Sequence, residues 1–313
     1  MTKKLITVVV PAYNESDCVD ELAARLASLF NSEDSYEWEA IIVENGSTDD
    51  TWSLLEKINV MDPRFKVIRL ARNFGMDGGL TAGLDFAKGD ACVFMTADLQ
   101  DPPELISEFL RKWEQGYENV YGVLTKRDGT GRVRTFNSKA FYWLASKLTD
   151  GRIPRNVSDF RLLDRKAYEA VRSMEERNRF LRGLAAWVGF ESIGIPMERT
   201  PRFGGESKAY SFRVIELAFK GIFAHSYVPL RVITLLGVTL SISSFLILLA
   251  LIVTWLTRGV PFAGFGTIVT LVIFLFGVLV FMIGIVSEYV GLIYEEVKGR
   301  PNFIVSRTLG IKE

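Results

Sequence analysis

The chain has little cysteine or histidine: only Cys18, Cys92 and His225 occur among its 313 residues. Two cysteines are too few for a disulfide framework, so we interpret both as buried thiols of a protein in a reducing compartment. His225 has no partner at metal-ligand spacing, which disfavours a histidine-based catalytic centre. The chain also has no excess of positive or negative charge, because its 37 basic and 37 acidic side chains balance. A nucleic-acid partner is therefore not expected.

Two common nucleotide-binding motifs are absent as well. No G-x-G-x-x-G follows the first predicted strand, and no G-x-x-x-x-G-K-[ST] occurs anywhere in the sequence. Dinucleotide oxidoreductases and P-loop ATPases are therefore poor fits. Gly75, Gly78, Gly79 and Gly83 form a cluster with a different spacing. We interpret these glycines as sites of close packing between a helix and the sheet rather than as phosphate contacts.

Charged residues are missing altogether from two long apolar runs, 232–256 and 263–287. Each run would extend about 37 Å as a helix, more than the ~30 Å hydrocarbon core of a bilayer. We predict two transmembrane helices joined by a turn at 257–262, in preference to two buried helices of a soluble domain. Basic residues are more frequent outside the pair than in the turn. This asymmetry predicts a multi-pass protein of the cytoplasmic membrane, with both termini and the catalytic domain in the cytoplasm.

The stretch before the first apolar run has an amphipathic helical period. It predicts a helix along the bilayer surface, and a core helix is the alternative. The expected organisation is therefore a catalytic domain, an amphipathic juxtamembrane segment, a two-helix transmembrane hairpin and a cytoplasmic tail. These parts correspond to residues 1–207, 208–230, 231–288 and 289–313.

Residues 1 to about 125 alternate short β-branched runs with helical stretches, a pattern typical of an α/β fold with a mostly parallel sheet. The predicted strands are 5–10, 39–43, 65–70, 91–95 and 119–123. Ligands of such sheets bind beyond the carboxyl ends of the strands. Three strands end in polar sequences, PAYNE, ENGSTD and TADLQDPP. The functional residues are therefore expected at this edge.

The acidic loop after the fourth predicted strand supplies candidate metal ligands. Asp98 and Gln100 are two residues apart and share one face of an extended segment, with Asp101 adjacent. Hard oxygen ligands of this kind suit Mg²⁺ or Mn²⁺ bridging a diphosphate. An acidic turn that caps the helix beginning at Pro102 is the alternative interpretation.

Four motifs, VVVPAYNE, VENGSTDDT, ARNFG and ADLQDPPE, together resemble the inverting family 2 glycosyltransferases of the polyprenyl-phosphate type. This group includes bactoprenol glucosyltransferases and dolichol-phosphate mannose synthase. The resemblance continues through SDFRL at 158–162 and RFGGESK at 202–208, and covers nearly the whole chain. It implies a GT-A-like fold for a nucleotide-diphosphate sugar, a divalent metal and a polyprenyl phosphate acceptor. Thr96 departs from the family pattern, because an aspartate is usual there.

The resemblance also implies roles for individual residues. Asp98 and Gln100 would hold the metal, and Asp98 and Asp159 would be the catalytic carboxylates. Asp159 is either a general base or a group that orients an arginine such as Arg161. The nucleotide-binding candidates are Pro11, Tyr13, Glu15, Glu44, Asn45 and Ser47. The candidates for binding acceptor and donor phosphates are Arg127, Arg134, Ser138, Arg202, Ser207 and Lys208.

The expected reaction is transfer of one sugar, with inversion, from a nucleotide-diphosphate sugar to polyprenyl (undecaprenyl) phosphate at the cytoplasmic membrane face. UDP-glucose is the donor that the family favours. A processive polysaccharide synthase is an alternative, but such an enzyme should carry Gln-x-x-Arg-Trp where residues 182–187 read RGLAAW. A non-catalytic membrane scaffold is the other alternative, suggested by Thr96. The expected partners are the donor, the acceptor and the bilayer, with a homo-oligomer allowed by glycines in the apolar runs.

Overall fold

The computed structural model describes residues 2–125, 157–177, 179–200, 228–258 and 264–311. The chain divides into two compact units. One unit comprises Met1–Val214 with Gly299–Glu313, and the other comprises Ile215–Lys298. The first unit contains every strand in the described residues, and the second contains two long helices.

In the described residues of the first unit, the strands form one eight-stranded sheet. Its strands are β1 (Lys4–Ala12), β2 (Tyr36–Glu44), β3 (Phe65–Leu70), β4 (Ala91–Phe94), β5 (Asn119–Leu124), β6 (Val157–Asp164), β7 (Ser192–Met197) and β8 (Val305–Leu309). Their order is β7-β5-β6-β4-β1-β2-β3-β8. β1 to β4 run parallel, and β5 and β7 are parallel to each other. β6 is antiparallel to β4 and β5, and β8 is antiparallel to β3. The predicted mostly parallel sheet is confirmed.

Helices cover both faces of this sheet. They are α1 (Val19–Ser32), α2 (Thr51–Met61), α3 (Gly75–Phe86), α4 (Ile106–Glu114), α5 (Arg165–Arg172) and α6 (Leu181–Trp187). Apolar residues of α1, α2 and α4 pack on one face, and those of α3, α5 and α6 pack on the other. Adjacent β1 residues serve opposite layers: Val8 faces the first and Val9 the second. Burial on both faces explains why the central strands read as continuous apolar runs.

Close packing of α3 on the sheet accounts for Gly79 and Gly83, as predicted, but not for Gly75, which has a φ of 79° and no atom within 4 Å of a Cβ position. A Cβ atom at Gly83 would lie 2.2 Å from Cγ1 of Val9, and one at Gly79 would lie 2.8 Å from Cβ of Pro11. These distances leave no room for a side chain. Cys18 and Cys92 are both buried free thiols, as the sequence predicted.

The C-terminal segment differs from the predicted tail at 289–313. Val305–Leu309 forms the edge strand β8, and the N–H of Ala71 donates to the carbonyl oxygen of Ile304 at 2.9 Å. Arg307 also forms an ion pair with Glu56 of α2 at 3.1 Å. The strand is difficult to recognise in the sequence because VSRTL is short and pairs with a strand more than 230 residues away. Part of the predicted tail is therefore a component of the sheet.

The second unit contains α7 (Val228–Arg258) and α8 (Phe265–Lys298). α8 continues ten residues beyond the predicted hairpin boundary at 288. Among the described residues, one helical segment, Phe274–Lys298, is long and apolar enough to cross a membrane, with a mean hydropathy of 2.1. Its large apolar side chains are exposed, as Phe281 is at 65%. The second predicted span is not confirmed, and the predicted amphipathic segment up to residue 227 lies outside the described residues.

Candidate active site at the carboxyl edge of the sheet

The loops that follow β1 and β2 are joined by hydrogen bonds. The N–H of Asn14 donates to Oγ of Ser47 at 3.0 Å, and the N–H of Thr48 donates to Oδ1 of Asn14 at 2.8 Å. The N–H of Glu15 donates to Oγ1 of Thr51 at 3.0 Å. Of the part-exposed nucleotide-binding candidates, Tyr13, Glu15 and Ser47 thus lie in these joined loops, and Pro11 lies at the end of β1.

Glu44 and Asn45 are buried beneath these loops. The Glu44 carboxylate accepts a hydrogen bond from the N–H of Ser47, and its Oε2 lies 3.0 Å from Nε of Arg69, an ion pair without hydrogen-bond alignment. The side chain of Asn45 donates to the carbonyl oxygen of Gly75 at 2.8 Å and accepts from the N–H of Phe74 at 2.9 Å. Both side chains therefore hold the neighbouring loops in place, and their predicted contact with a nucleotide stays a prediction.

Asp98 lies in the loop after β4 and is supported from both sides. Oγ1 of Thr96 donates to Oδ1 of Asp98 at 2.7 Å, and the N–H of Gln100 approaches the same oxygen at 3.3 Å. The residue between them, Leu99, is buried and has a φ of 57°. A left-handed conformation costs a residue other than glycine about 1–2 kcal/mol. The rest of the loop must supply that free energy.

The donor set of this loop fits a divalent cation that takes most of its ligands from a substrate. Among the described residues, no three His, Cys, Asp or Glu side chains are grouped to hold a metal. Asp101, the second carboxylate of the loop, is fully buried and forms an ion pair with Arg199 at 3.1 Å. Burial raises the pKa of Asp101, although Arg199 opposes the shift. Asp98 and Gln100 are then the candidate metal ligands of the loop. This small set is sufficient, because Mg²⁺ commonly binds one or two carboxylates together with phosphates and water.

Asp159 lies on β6 beside this loop and forms a two-bond ion pair with Arg182 of α6. Nε of Arg182 lies 2.9 Å from Oδ1 of Asp159, and Nη2 lies 2.5 Å from Oδ2. Burial raises the pKa of Asp159, but Arg182 and the more distant Arg161 and Arg199 outweigh it, so the pKa lies below its ordinary value. A carboxylate with a lowered pKa is a weak proton acceptor. In this structure Asp159 holds the side chain of Arg182, and its predicted role as a general base stays a prediction.

Arg161, the arginine named in that prediction, has a different partner. It is 2% exposed, and its Nη2 donates to the carbonyl oxygen of Ser158 at 3.3 Å. Burial lowers the pKa of Arg161 to about 10. The arginine that Asp159 orients through hydrogen bonds is therefore Arg182, because β6 places Asp159 opposite the first turn of α6.

Asp77, at the start of α3, joins the same cluster. Its Oδ1 accepts a hydrogen bond from the N–H of Leu181 at 3.1 Å, next to Arg182. Burial raises the pKa of Asp77 to about 6, and Asp159 adds to the rise while Arg182 and Arg161 oppose it. The ionised Asp77 therefore destabilises the fold near neutral pH, and protonation below pH 6 relieves the cost.

We expect Asp77→Asn to raise the melting temperature at pH 7.5 by about 3–6 °C, since the variant avoids roughly 1–3 kcal/mol of charge burial. The amide oxygen still accepts from Leu181. The gain should be complete above pH 6 and should fade towards pH 4, where Asp77 is protonated in both folded and unfolded chains. Thermal melts of the full chain in detergent at several pH values measure it. The exposed Asp34→Asn is the matched control, and an equal shift in that variant would contradict the explanation.

The predicted phosphate-binding residues lie outside the described residues. They are Arg127, Arg134, Ser138, Arg202, Ser207 and Lys208. His225 lies outside as well. Conversely, the structure brings to the site three residues that the sequence did not single out, Asp77, Arg182 and Arg199. Arg182 begins the RGLAAW stretch. A charged residue before a mostly apolar stretch was the only feature of the sequence that could have indicated a role for it.

These observations define a class of protein. A mostly parallel α/β sheet carries its polar loops at one carboxyl edge, and the loop after β4 offers an oxygen donor set suited to a metal-bound diphosphate. This is the architecture of a GT-A-like glycosyltransferase.

Comparison with known proteins gives the family. Residues 7–172 match the model of glycosyl transferase family 2. The uncharacterised glycosyltransferase sll0501 of Synechocystis is 39% identical over 98% of this chain and 96% of its own. The bactoprenol glucosyl transferase of the SfII prophage in Shigella flexneri is 35% identical over 97% of this chain and 98% of its own. The chain therefore belongs to glycosyl transferase family 2.

The solved structure of mannosyl-3-phosphoglycerate synthase from Rubrobacter xylanophilus aligns with 69% of this chain and 71% of its own, with 16% identity and a TM-score of 0.47.

Proposed function

We propose that the protein transfers a single sugar from a nucleotide-diphosphate sugar to a polyprenyl phosphate at the cytoplasmic face of the membrane. UDP-glucose and undecaprenyl phosphate are the proposed substrates. The observation that carries the proposal is the Asp98 loop at the carboxyl edge of a sheet whose chain also contains a long apolar helix. The relative from Shigella flexneri, named for glucosyl transfer to bactoprenol, supports the lipid acceptor.

The proposed reaction exchanges one bond at the anomeric carbon. An oxygen of the acceptor phosphate forms the new bond to that carbon while the bond to the donor diphosphate breaks, and attack from the opposite face inverts the configuration. The acceptor phosphate has a second pKa of about 6, so it is largely a dianion in the cytoplasm and needs no general base. The diphosphate leaves with the electron pair, and its growing negative charge must be stabilised.

Different residues of the chain would have different roles in this reaction. Asp98 and Gln100 would hold a Mg²⁺ or Mn²⁺ ion, which when bound neutralises charge on the leaving diphosphate. Asp159, paired with Arg182 through both carboxylate oxygens, would orient that arginine and would not act as a general base. Arg202 and Lys208, by resemblance to the family, would bind the acceptor phosphate.

Thr96 bears on the alternative of a non-catalytic scaffold. The sequence suggests that alternative because a family aspartate is missing there. The Thr96 hydroxyl donates to Oδ1 of Asp98 at 2.7 Å, so the residue supports the remaining carboxylate. A threonine in this position is compatible with an enzyme whose metal depends on one carboxylate and the substrate.

The membrane arrangement is part of the proposal. α7 and α8 would cross the bilayer as a hairpin, with both termini in the cytoplasm. A lipid phosphate presents its headgroup at the membrane surface, so an anchored enzyme meets its acceptor there. Self-association through glycines of the helices is compatible with this arrangement.

A substrate screen tests the proposal. The purified full chain, in detergent with Mn²⁺ and a short-chain polyprenyl phosphate, is given UDP-glucose, UDP-galactose, UDP-N-acetylglucosamine and GDP-mannose in turn. We expect glycolipid from UDP-glucose at a rate at least about tenfold above the other donors, which corresponds to ~1.4 kcal/mol in the transition state. Equal rates would contradict the proposed donor. Absence of glycolipid from every donor would contradict the proposed function.

A further inference from the structure

A short segment after β7 covers the Asp98 loop from the surface. Oγ1 of Thr200 donates to the carbonyl oxygen of Leu99 at 2.9 Å, and the N–H of Thr200 donates to the carbonyl oxygen of Gln100 at 3.1 Å. Thr200 thus bonds two consecutive carbonyl groups, and these follow Asp98 directly. The contact joins positions about 100 residues apart in the chain.

The preceding residue, Arg199, bonds the same loop at its far end. Its Nε lies 3.1 Å from Oδ1 of Asp101, and its Nη2 lies 3.3 Å from Oγ of Ser158 on β6. The Asp101 carboxylate is fully buried and needs a cationic partner. Arg199 therefore anchors the loop to the sheet, while Thr200 bonds its backbone.

The loop requires such bonds because of Leu99. This buried leucine has a φ of 57°, a backbone conformation that residues with a Cβ atom avoid. Strained residues of this kind persist only where their surroundings hold them. If Leu99 relaxed to a negative φ, the peptide groups on either side would turn, and the carboxylate of Asp98 would move with them.

We propose that Arg199 and Thr200 are positioning residues that hold Leu99 in its left-handed conformation and thereby aim Asp98 at the cation of the donor diphosphate. Neither residue need touch the substrate. The inference rests on the proposed function, because it assumes that Asp98 binds a divalent cation together with a nucleoside diphosphate.

Binding of UDP to the full chain, measured by calorimetry in detergent with and without Mn²⁺, tests the inference. Thr200→Val removes the hydroxyl and keeps the backbone N–H, whereas Thr200→Ser keeps both. We expect Thr200→Val to weaken Mn²⁺-dependent UDP binding about tenfold, to leave metal-free UDP binding unchanged and to shift the melting temperature little. Thr200→Ser should restore the wild-type affinity.

Thr125→Val provides the matched control. Oγ1 of Thr125 also donates to a backbone carbonyl, that of Met197 at the end of β7 at 3.2 Å, but the bond does not involve the Asp98 loop. This variant should bind UDP and Mn²⁺ as the wild type does. Wild-type affinity in Thr200→Val, or equal losses in Thr200→Val and Thr125→Val, would overturn the positioning role. If the UDP affinity of the wild-type chain does not change when Mn²⁺ is added, the proposed metal site is wrong, and this inference fails with it.

Discussion

Asp98→Ala is expected to lower kcat for sugar transfer by about 10²- to 10³-fold, the scale reached when one group that stabilises developing charge is lost. Asp98 is the carboxylate that the loop after β4 presents, because Asp101 is buried against Arg199. The variant leaves the donor diphosphate without its main anchor for a cation. Asp98 is also only part-buried, so the fold should survive. Steady-state kinetics at saturating donor and acceptor, with a thermal melt of the same sample, measure both effects.

Glu104→Gln is the control for this substitution. Glu104 lies six residues beyond Asp98, is exposed, and pairs with Arg25 on the surface at 2.5 Å. Its replacement should leave kcat within about twofold of the wild type, since exposed pairs contribute at most ~1 kcal/mol to stability and nothing to the site. Wild-type turnover in Asp98→Ala that still responds to Mg²⁺ would reject the assignment of Asp98 and direct attention to other oxygen donors of the loop.

Asp159→Asn is expected to lower kcat by about 10²-fold, and by the same factor at every pH from 6 to 9. Arg182 holds Asp159 ionised through two hydrogen bonds, so its charge is present over that whole range. A general base would behave differently. As the pH rises past the acceptor's second pKa of about 6, the dianion no longer needs a base, and the deficit of the variant would shrink. Parallel pH profiles support the role of Asp159 in orienting Arg182, and converging profiles support the base.

The pair with Arg182 requires a stability control in this experiment. Both side chains are about three-quarters covered, and removing one partner of such a pair leaves a poorly solvated charge, at a cost of up to about 3–5 kcal/mol. The double variant Asp159→Asn with Arg182→Gln removes both charges. If it melts near the wild-type temperature yet transfers sugar as slowly as the single variant, the loss belongs to the reaction and not to unfolding.

Much of the sheet could be predicted because burial leaves a clear pattern in the sequence. β1 to β5 read as apolar runs, and all five are present. β6 was not predictable in the same way, because the charged residues Asp159 and Arg161 interrupt its apolar sequence. The neighbouring Phe160 and Leu162 are nevertheless fully buried. β8 escaped prediction because its partner strand is far away in the chain.

The candidate site was predictable only where it follows a strand. Asp98 comes directly after β4, so its position at the carboxyl edge follows from the fold. Asp77 lies next to Arg182 because its carboxylate accepts a hydrogen bond from the N–H of Leu181, 104 positions away, and no local pattern indicates this contact. The side chains of Glu44 and Asn45 bond to neighbouring loops. Local sequence does not show whether such a side chain points to a loop of the protein or to a ligand.

Product analysis in a bilayer tests the proposed transfer of one glucose to undecaprenyl phosphate. The full chain, reconstituted in nanodiscs that contain undecaprenyl phosphate, is incubated with Mn²⁺ and radiolabelled UDP-glucose, and the lipid extract is examined by mass spectrometry and by β-glucosidase digestion. We expect a lipid that carries one glucose, linked through its phosphate in the β configuration, and no radiolabelled free glucose. Lipids that carry several sugars, an α-linked product, or release of free glucose without glycolipid would contradict it.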